Sequence, residues 1–220
     1  MSISRKDKVF CLKAIFTTIL SISVTAHPAF STATISEELY KHLKVGYDEV
    51  EKGAYDRAVH DFCSAVRTDR DSVTARRYLA YALVKMGTPE LAMKQLSLVQ
   101  KMTTPTAFDL YLYGEAYFTA GEYKQALDSF QKCLALVPDF DAARGGVIKS
   151  LALQGEFNQA TNECITGMTK AKDAPAKKYY QDMLKRVREV ALIPITPVTS
   201  TTSYAVPRQG GANNLDLNLE

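Results

Sequence analysis

The chain has 220 residues and a formal net charge of +3. Arg5, Lys6, Lys8 and Lys13 stand against Asp7 alone before Ala26, so the chain beyond Ala26 is near neutrality and lacks the basic stripe that nucleic-acid binding requires. Of the four cysteines Cys11 lies in that leader, and Cys63, Cys133 and Cys164 form an odd set with no CxxC pair and no metal-ligand spacing.

In chain order, the basic start is followed by an uncharged, largely apolar run from Ala14 to Val24 that ends in Val24-Thr25-Ala26. This is the layout of a secretory signal peptide over 1–26 with cleavage after Ala26, and it implies an exported chain, periplasmic or secreted. The alternative is an uncleaved N-terminal anchor, but the run is shorter than the ~20 residues that span a bilayer. No later segment is apolar enough to span, so the rest is expected not to be membrane-embedded. Residues 27–36 lack apolar spacing and are expected to be flexible.

Four glycines, Gly53, Gly87, Gly121 and Gly155, then recur every 34 residues, each followed five positions later by an alanine: Ala58, Ala92, Ala126 and Ala160. Nine positions after each glycine come Phe62, Leu96, Phe130 and Cys164, and twelve after come Ala65, Val99, Cys133 and Gly167. These offsets place small or apolar residues on one face of a helix starting just after the glycine, and the glycine suits the left-handed turn ending the helix before it. Thr88-Pro89 replaces the aromatic found at Tyr55, Tyr123 and Phe157, reading as an N-cap followed by a first-turn proline. The unit is helix, turn, helix.

The third unit is the fullest, with Leu110, Tyr113, Gly114, Tyr117, Gly121, Tyr123, Ala126, Phe130 and a closing Pro138. This pattern resembles the tetratricopeptide repeat family over about Leu39 to Lys172. The resemblance implies an all-α fold: a right-handed α-solenoid of four helix-turn-helix repeats within 37–172, at about 39–72, 73–106, 107–140 and 141–172. Gly145-Gly146 falls inside the first helix of repeat four, costing about 1 kcal/mol per glycine relative to alanine, so that helix is expected to be the softest.

Beyond the repeats, 174–191 has Tyr179, Tyr180, Met183, Leu184, Val187 and Val190 at helical spacing, with Lys177, Lys178, Lys185, Arg186 and Arg188 between them. An array needs such a helix to cover its last apolar face. The Pro-, Gly- and Thr/Ser-rich tail over 192–220 is expected to be disordered. Cys133 and Cys164, at offsets that hold apolar residues in other repeats, read as small core residues; a disulfide between them is the lesser reading, open to an oxidising compartment.

No catalytic set emerges. The histidines are His27, His42 and His60, and the last two, among charged residues on different helices of repeat one, read as solvated or satisfied; no metal site, cofactor motif or phosphate-cradling loop accompanies them.

The family resemblance implies that the first helix of each repeat lines a concave groove through residues about 13, 10, 6, 3 and 2 before each glycine. Among these, Tyr40, Tyr47, Arg77, Tyr81, Lys85, Phe108, Tyr111, Glu115, Phe118 and Lys149 are the candidate peptide-binding residues. The positions are mostly aromatic or aliphatic, with Arg77, Lys85 and Lys149 the cations, which does not support a clamp for a terminal carboxylate. The reading is a non-catalytic scaffold that binds a segment of a partner protein between amphipathic rings, with a self-assembling structural component as the alternative.

Overall fold

The computed structural model describes residues 30–192, with side chains from Ser36 onward. The leader over 1–26 and the tail beyond residue 192 lie outside the described residues. Among the described residues there are nine α-helices and no strand: α1 (Phe30–Lys52), α2 (Tyr55–Thr68), α3 (Val73–Met86), α4 (Pro89–Met102), α5 (Ala107–Thr119), α6 (Tyr123–Leu136), α7 (Asp141–Leu153), α8 (Phe157–Lys170) and α9 (Ala174–Ala191).

The landmark glycines make the turns. Gly53, Gly87, Gly121 and Gly155 have φ of +79°, +79°, +83° and +80°, the left-handed region that side chains disfavour. Each turn closes with the same pair of hydrogen bonds: Gly53 N–H donates to Val50 O at 3.0 Å and Ala54 N–H to Glu49 O at 2.9 Å, a pairing repeated at Gly87, Gly121 and Gly155. The alanines five residues on, Ala58, Ala92, Ala126 and Ala160, are all fully buried. Thr88 departs from the N-cap expectation. Its hydroxyl makes no cap bond to α4 and donates instead to Leu83 O at 3.0 Å, because the turn folds Thr88 back onto the open carbonyl end of α3.

Helix α1 begins at Phe30, so the segment expected to be flexible over 27–36 is helical from that residue. Pro28 is the last helix-breaking residue before it, and once a helix is nucleated each added residue costs little.

Two compact units are distinguished, one ending at Ala82 within α3 and the other starting at Leu83. In the first, α1 packs on α2, and Phe62 of α2 stacks on Tyr78 of α3 with ring centroids 5.5 Å apart. In the second, packing is sequential from α4 to α9, as in an α-solenoid, with α5 also meeting α7 and α7 meeting α9. Its core holds Phe130, Cys133, Val147, Ile148, Cys164, Tyr180 and Val187.

Glycine sets the closest approaches in that core. A β-carbon on Gly146 would meet the Phe130 ring at 2.5 Å, and one on Gly145 would collide with the Tyr179 hydroxyl. Helix α7 is thus well enclosed rather than loosely held: Ala143 through Ile148 are all buried, and the missing β-carbons admit rings from α6 and α9. Buried Arg144 pairs with Glu163 at 2.7 Å and donates to Pro138 O at 2.9 Å, tying α7 to α8 and to the preceding loop.

Helix α9 closes the second unit. Its Asp173 side chain accepts from Ala176 N–H at 2.7 Å, and Tyr180, fully buried, lies against Gly167 and donates its hydroxyl proton to Asp141 at 2.6 Å. The disulfide weighed for Cys133 and Cys164 is not formed: both stand as fully buried thiols in this core, Cys133 at an offset of small residues on α6 and Cys164 on α8 at the offset that holds Phe62, Leu96 and Phe130 in the other repeats.

Candidate functional site

The first-helix faces are described unit by unit. In the first unit Tyr40 is 44% exposed, while Tyr47 and Arg77 are half-buried. Burial, then the nearby Glu51 carboxylate, pushes the Tyr47 phenol well above its ordinary pKa. Tyr81 is only 5% exposed and Phe108, in the second unit, 8%, so these two aromatics are core residues and not groove lining. The physical reason is that a first helix is flanked on more than one side and gives up only a narrow stripe to solvent.

The second unit gathers five of the expected residues around one carboxylate. Glu115 of α5 and Lys149 of α7 hold the same offset in consecutive repeats, so the two helices present them side by side, and Lys85 reaches in from the end of α3. Lys85 Nζ lies 2.8 Å from Glu115 Oε2, and Lys149 Nζ lies 3.9 Å from Oε1. Lys149 also sits over the Phe118 ring, 5.0 Å from its centroid. Tyr111 hydrogen-bonds to Glu115 through its side chain, and its ring packs among Phe108, Phe130 and Phe140 with centroids 6.4, 6.0 and 5.2 Å away.

Burial of Glu115 by itself would raise its pKa. Attraction to Lys85 and Lys149, with hydrogen bonds from Lys85 and Tyr111, outweighs that and holds the carboxyl below its ordinary range. The carboxylate side chain is 14% exposed, Lys85 is 21% and Lys149 44%, so charge grows more accessible from Glu115 outward to Lys149.

One contributor was not foreseen as facing this side. Tyr179 of α9 reaches Gly145, itself at a groove offset, and its hydroxyl is pushed up to about 12 by burial first and by the charges of Glu115 and Asp141 next. The absence of a side chain at a groove offset was the available signal: something larger had to fill Gly145.

Elsewhere, His60 borders a shallow cleft of about 350 Å³ with Val45, Glu49, Asp56, Arg57 and Asp61. Glu49 there is held by Lys52 at 2.6 Å and Arg57 at 3.4 Å, and His42 lies 3.9 Å from Glu38. Among the described residues no group of three or more histidine, cysteine or acidic side chains could hold a metal ion, and no helix is long and apolar enough to cross a membrane.

Against known proteins, a family profile described as anaphase-promoting complex, cyclosome, subunit 3 matches residues 51–133. No curated protein matches by sequence. Among solved structures, MamA is similar at 18% identity with a TM-score of 0.51, over 76% of this chain and 100% of its own. YrrB is similar at 19% identity and a TM-score of 0.51, over 76% and 89%. The first TPR domain of human RPAP3 is similar at 16% identity and a TM-score of 0.50, over 54% and 94%. With the 34-residue glycine register and the paired helices, these likenesses show that the chain has a tetratricopeptide-repeat fold.

Proposed function

We propose that this chain is an exported, non-catalytic scaffold that holds a segment of a partner protein against the first helices of its repeats. The observation that carries the reading is the surface around Lys149 in the second unit. There a partly accessible aromatic ring, Phe118, and a half-exposed cation lie over a buried carboxylate, an amphipathic surface of the kind that takes up a peptide. YrrB, similar in fold, is described as a TPR protein with an unusual peptide-binding site. Export rests on the leader, whose apolar run from Ala14 to Val24 and small residues at Thr25-Ala26 fit cleavage before His27.

The test is capture of displayed random peptides by the full chain, followed by Phe118→Ala. Selection of peptides whose binding falls at least tenfold in that variant, with helical content unchanged, supports the reading. Failure to select any peptide overturns it. N-terminal sequencing of the exported protein checks the compartment, with His27 as the expected first residue.

A further inference from the structure

The charges around Glu115 do not balance. One carboxylate faces two ammonium groups, and the two are held unequally: Lys85 at 2.8 Å, Lys149 at 3.9 Å and twice as exposed. Lys85 alone already supplies the charge that Glu115 needs. Lys149 is left with a distant share of that carboxylate and the face of Phe118, which attracts a cation without neutralising it. One turn further along α7, on the same side, Leu153 is 54% exposed. An accessible cation thus stands between an aromatic ring and an aliphatic side chain.

We infer that the segment held by the second unit is acidic: a carboxylate side chain of the partner pairs with Lys149, and an apolar neighbour packs on Phe118 and Leu153. A basic segment would set like charge against Lys149 where Glu115 is already neutralised, and a neutral one would cover the ammonium without replacing its hydration. Covering this spot removes water from around the Lys149 ammonium, so a carboxylate there gains more than an exposed surface pair would. The inference rests on the reading of this face as a peptide-binding surface and adds the partner's charge to it.

The experiment selects random displayed peptides on the full chain, on Lys149→Met and on Lys149→Glu, then measures synthetic copies of the selected peptides by fluorescence anisotropy at low and high salt. The expected result is enrichment of Asp or Glu beside Leu, Ile or Phe, with about threefold to tenfold weaker binding and a flatter salt dependence in Lys149→Met. Lys149→Glu is expected to turn selection toward Lys and Arg.

Peptides selected without acidic enrichment, or bound equally by wild type and Lys149→Met, overturn the inference while leaving a peptide-binding face in place. No selection on any variant overturns that face itself. The chain also carries an acidic, Leu-alternating segment at Leu215-Asp216-Leu217-Asn218-Leu219-Glu220. Tighter peptide binding after Asp216→Asn and Glu220→Gln would make that segment the occupant and overturn a separate partner.

Discussion

Gly114 and Phe130 share one space: a β-carbon on Gly114 would stand 2.5 Å from the Phe130 ring. Gly46 and Phe62 repeat the relationship in the first unit, where the corresponding distance is 2.6 Å. At the same two offsets repeat four carries Ile148 and Cys164, both fully buried, a large residue on the first helix and a small one on the second. Bulk has changed sides there without changing the register.

Gly114→Ala is therefore expected to destabilise the chain. Overpacking costs about 1–3 kcal/mol and outweighs the roughly 1 kcal/mol that alanine gains over glycine in a helix. In a Phe130→Leu background the same change is expected to be neutral or stabilising. Urea unfolding of the four combinations measures the coupling, and additive effects would remove the steric explanation.

Tyr81→Ala and Phe108→Ala are expected to lower the melting temperature, because both side chains are buried at 5% and 8% exposure. The cost is about 3–5 kcal/mol, the range for truncating a large aromatic in a core. Lys149→Met, at a half-exposed position, is expected to melt within about 0.5 kcal/mol of wild type. Thermal melts by circular dichroism distinguish the two classes, and an unshifted Tyr81→Ala would return that ring to the surface.

The Glu115 carboxyl has a folded pKa below its ordinary value of 4.5. A depressed carboxylate favours the folded state above its unfolded pKa, and that contribution is lost as pH falls through the folded value. Glu115→Gln is thus expected to be less stable than wild type near neutrality, with the gap narrowing only below about pH 4.5. Denaturant midpoints of both proteins across that range check the sign.

Tyr180→Phe removes the 2.6 Å bond to Asp141 while keeping the ring against Gly167. A hydrogen bond to a charged group is worth about 1.5–3 kcal/mol, so a loss of that order is expected, concentrated in α9. Amide exchange should quicken in α9 before it does in α5 or α6. Uniform quickening would mean that α9 does not open separately.

Burial pushes the Cys63 and Cys164 thiols up to about 11. Together with buried Cys133 they are expected to resist alkylation in the folded chain and to react on unfolding. Identical melts with and without reductant would agree with three thiols; a reductant-sensitive melt would point to a bond.

Much of the fold was legible because each repeat states the same rule four times. The glycine every 34 residues is a backbone requirement, visible as positive φ, and the alanine five residues on is a packing requirement, visible as complete burial. The candidate site was legible only as a set of offsets. Whether a ring such as Tyr111 turns outward depends on neighbours far along the chain, here Phe130 and Phe140, and offsets carry no such information. The Glu115–Lys149 pairing did leave a trace: opposite charges 34 residues apart, at one offset in consecutive repeats. The helical start at Phe30 left none, since a short polar stretch continues a helix or frays depending on how firmly the rest of that helix is nucleated.

The missing side chain at Gly145, where Tyr179 enters, also bears on how this protein could be rebuilt. Repeat four and α9 are cut to fit one another, with Gly167 receiving Tyr180 in the same way. They form a matched terminus that could be grafted as a block onto another array. Splicing an extra repeat between them would leave two glycine hollows facing a helix with nothing to fill them, so growth of this chain by duplication is closed after repeat four.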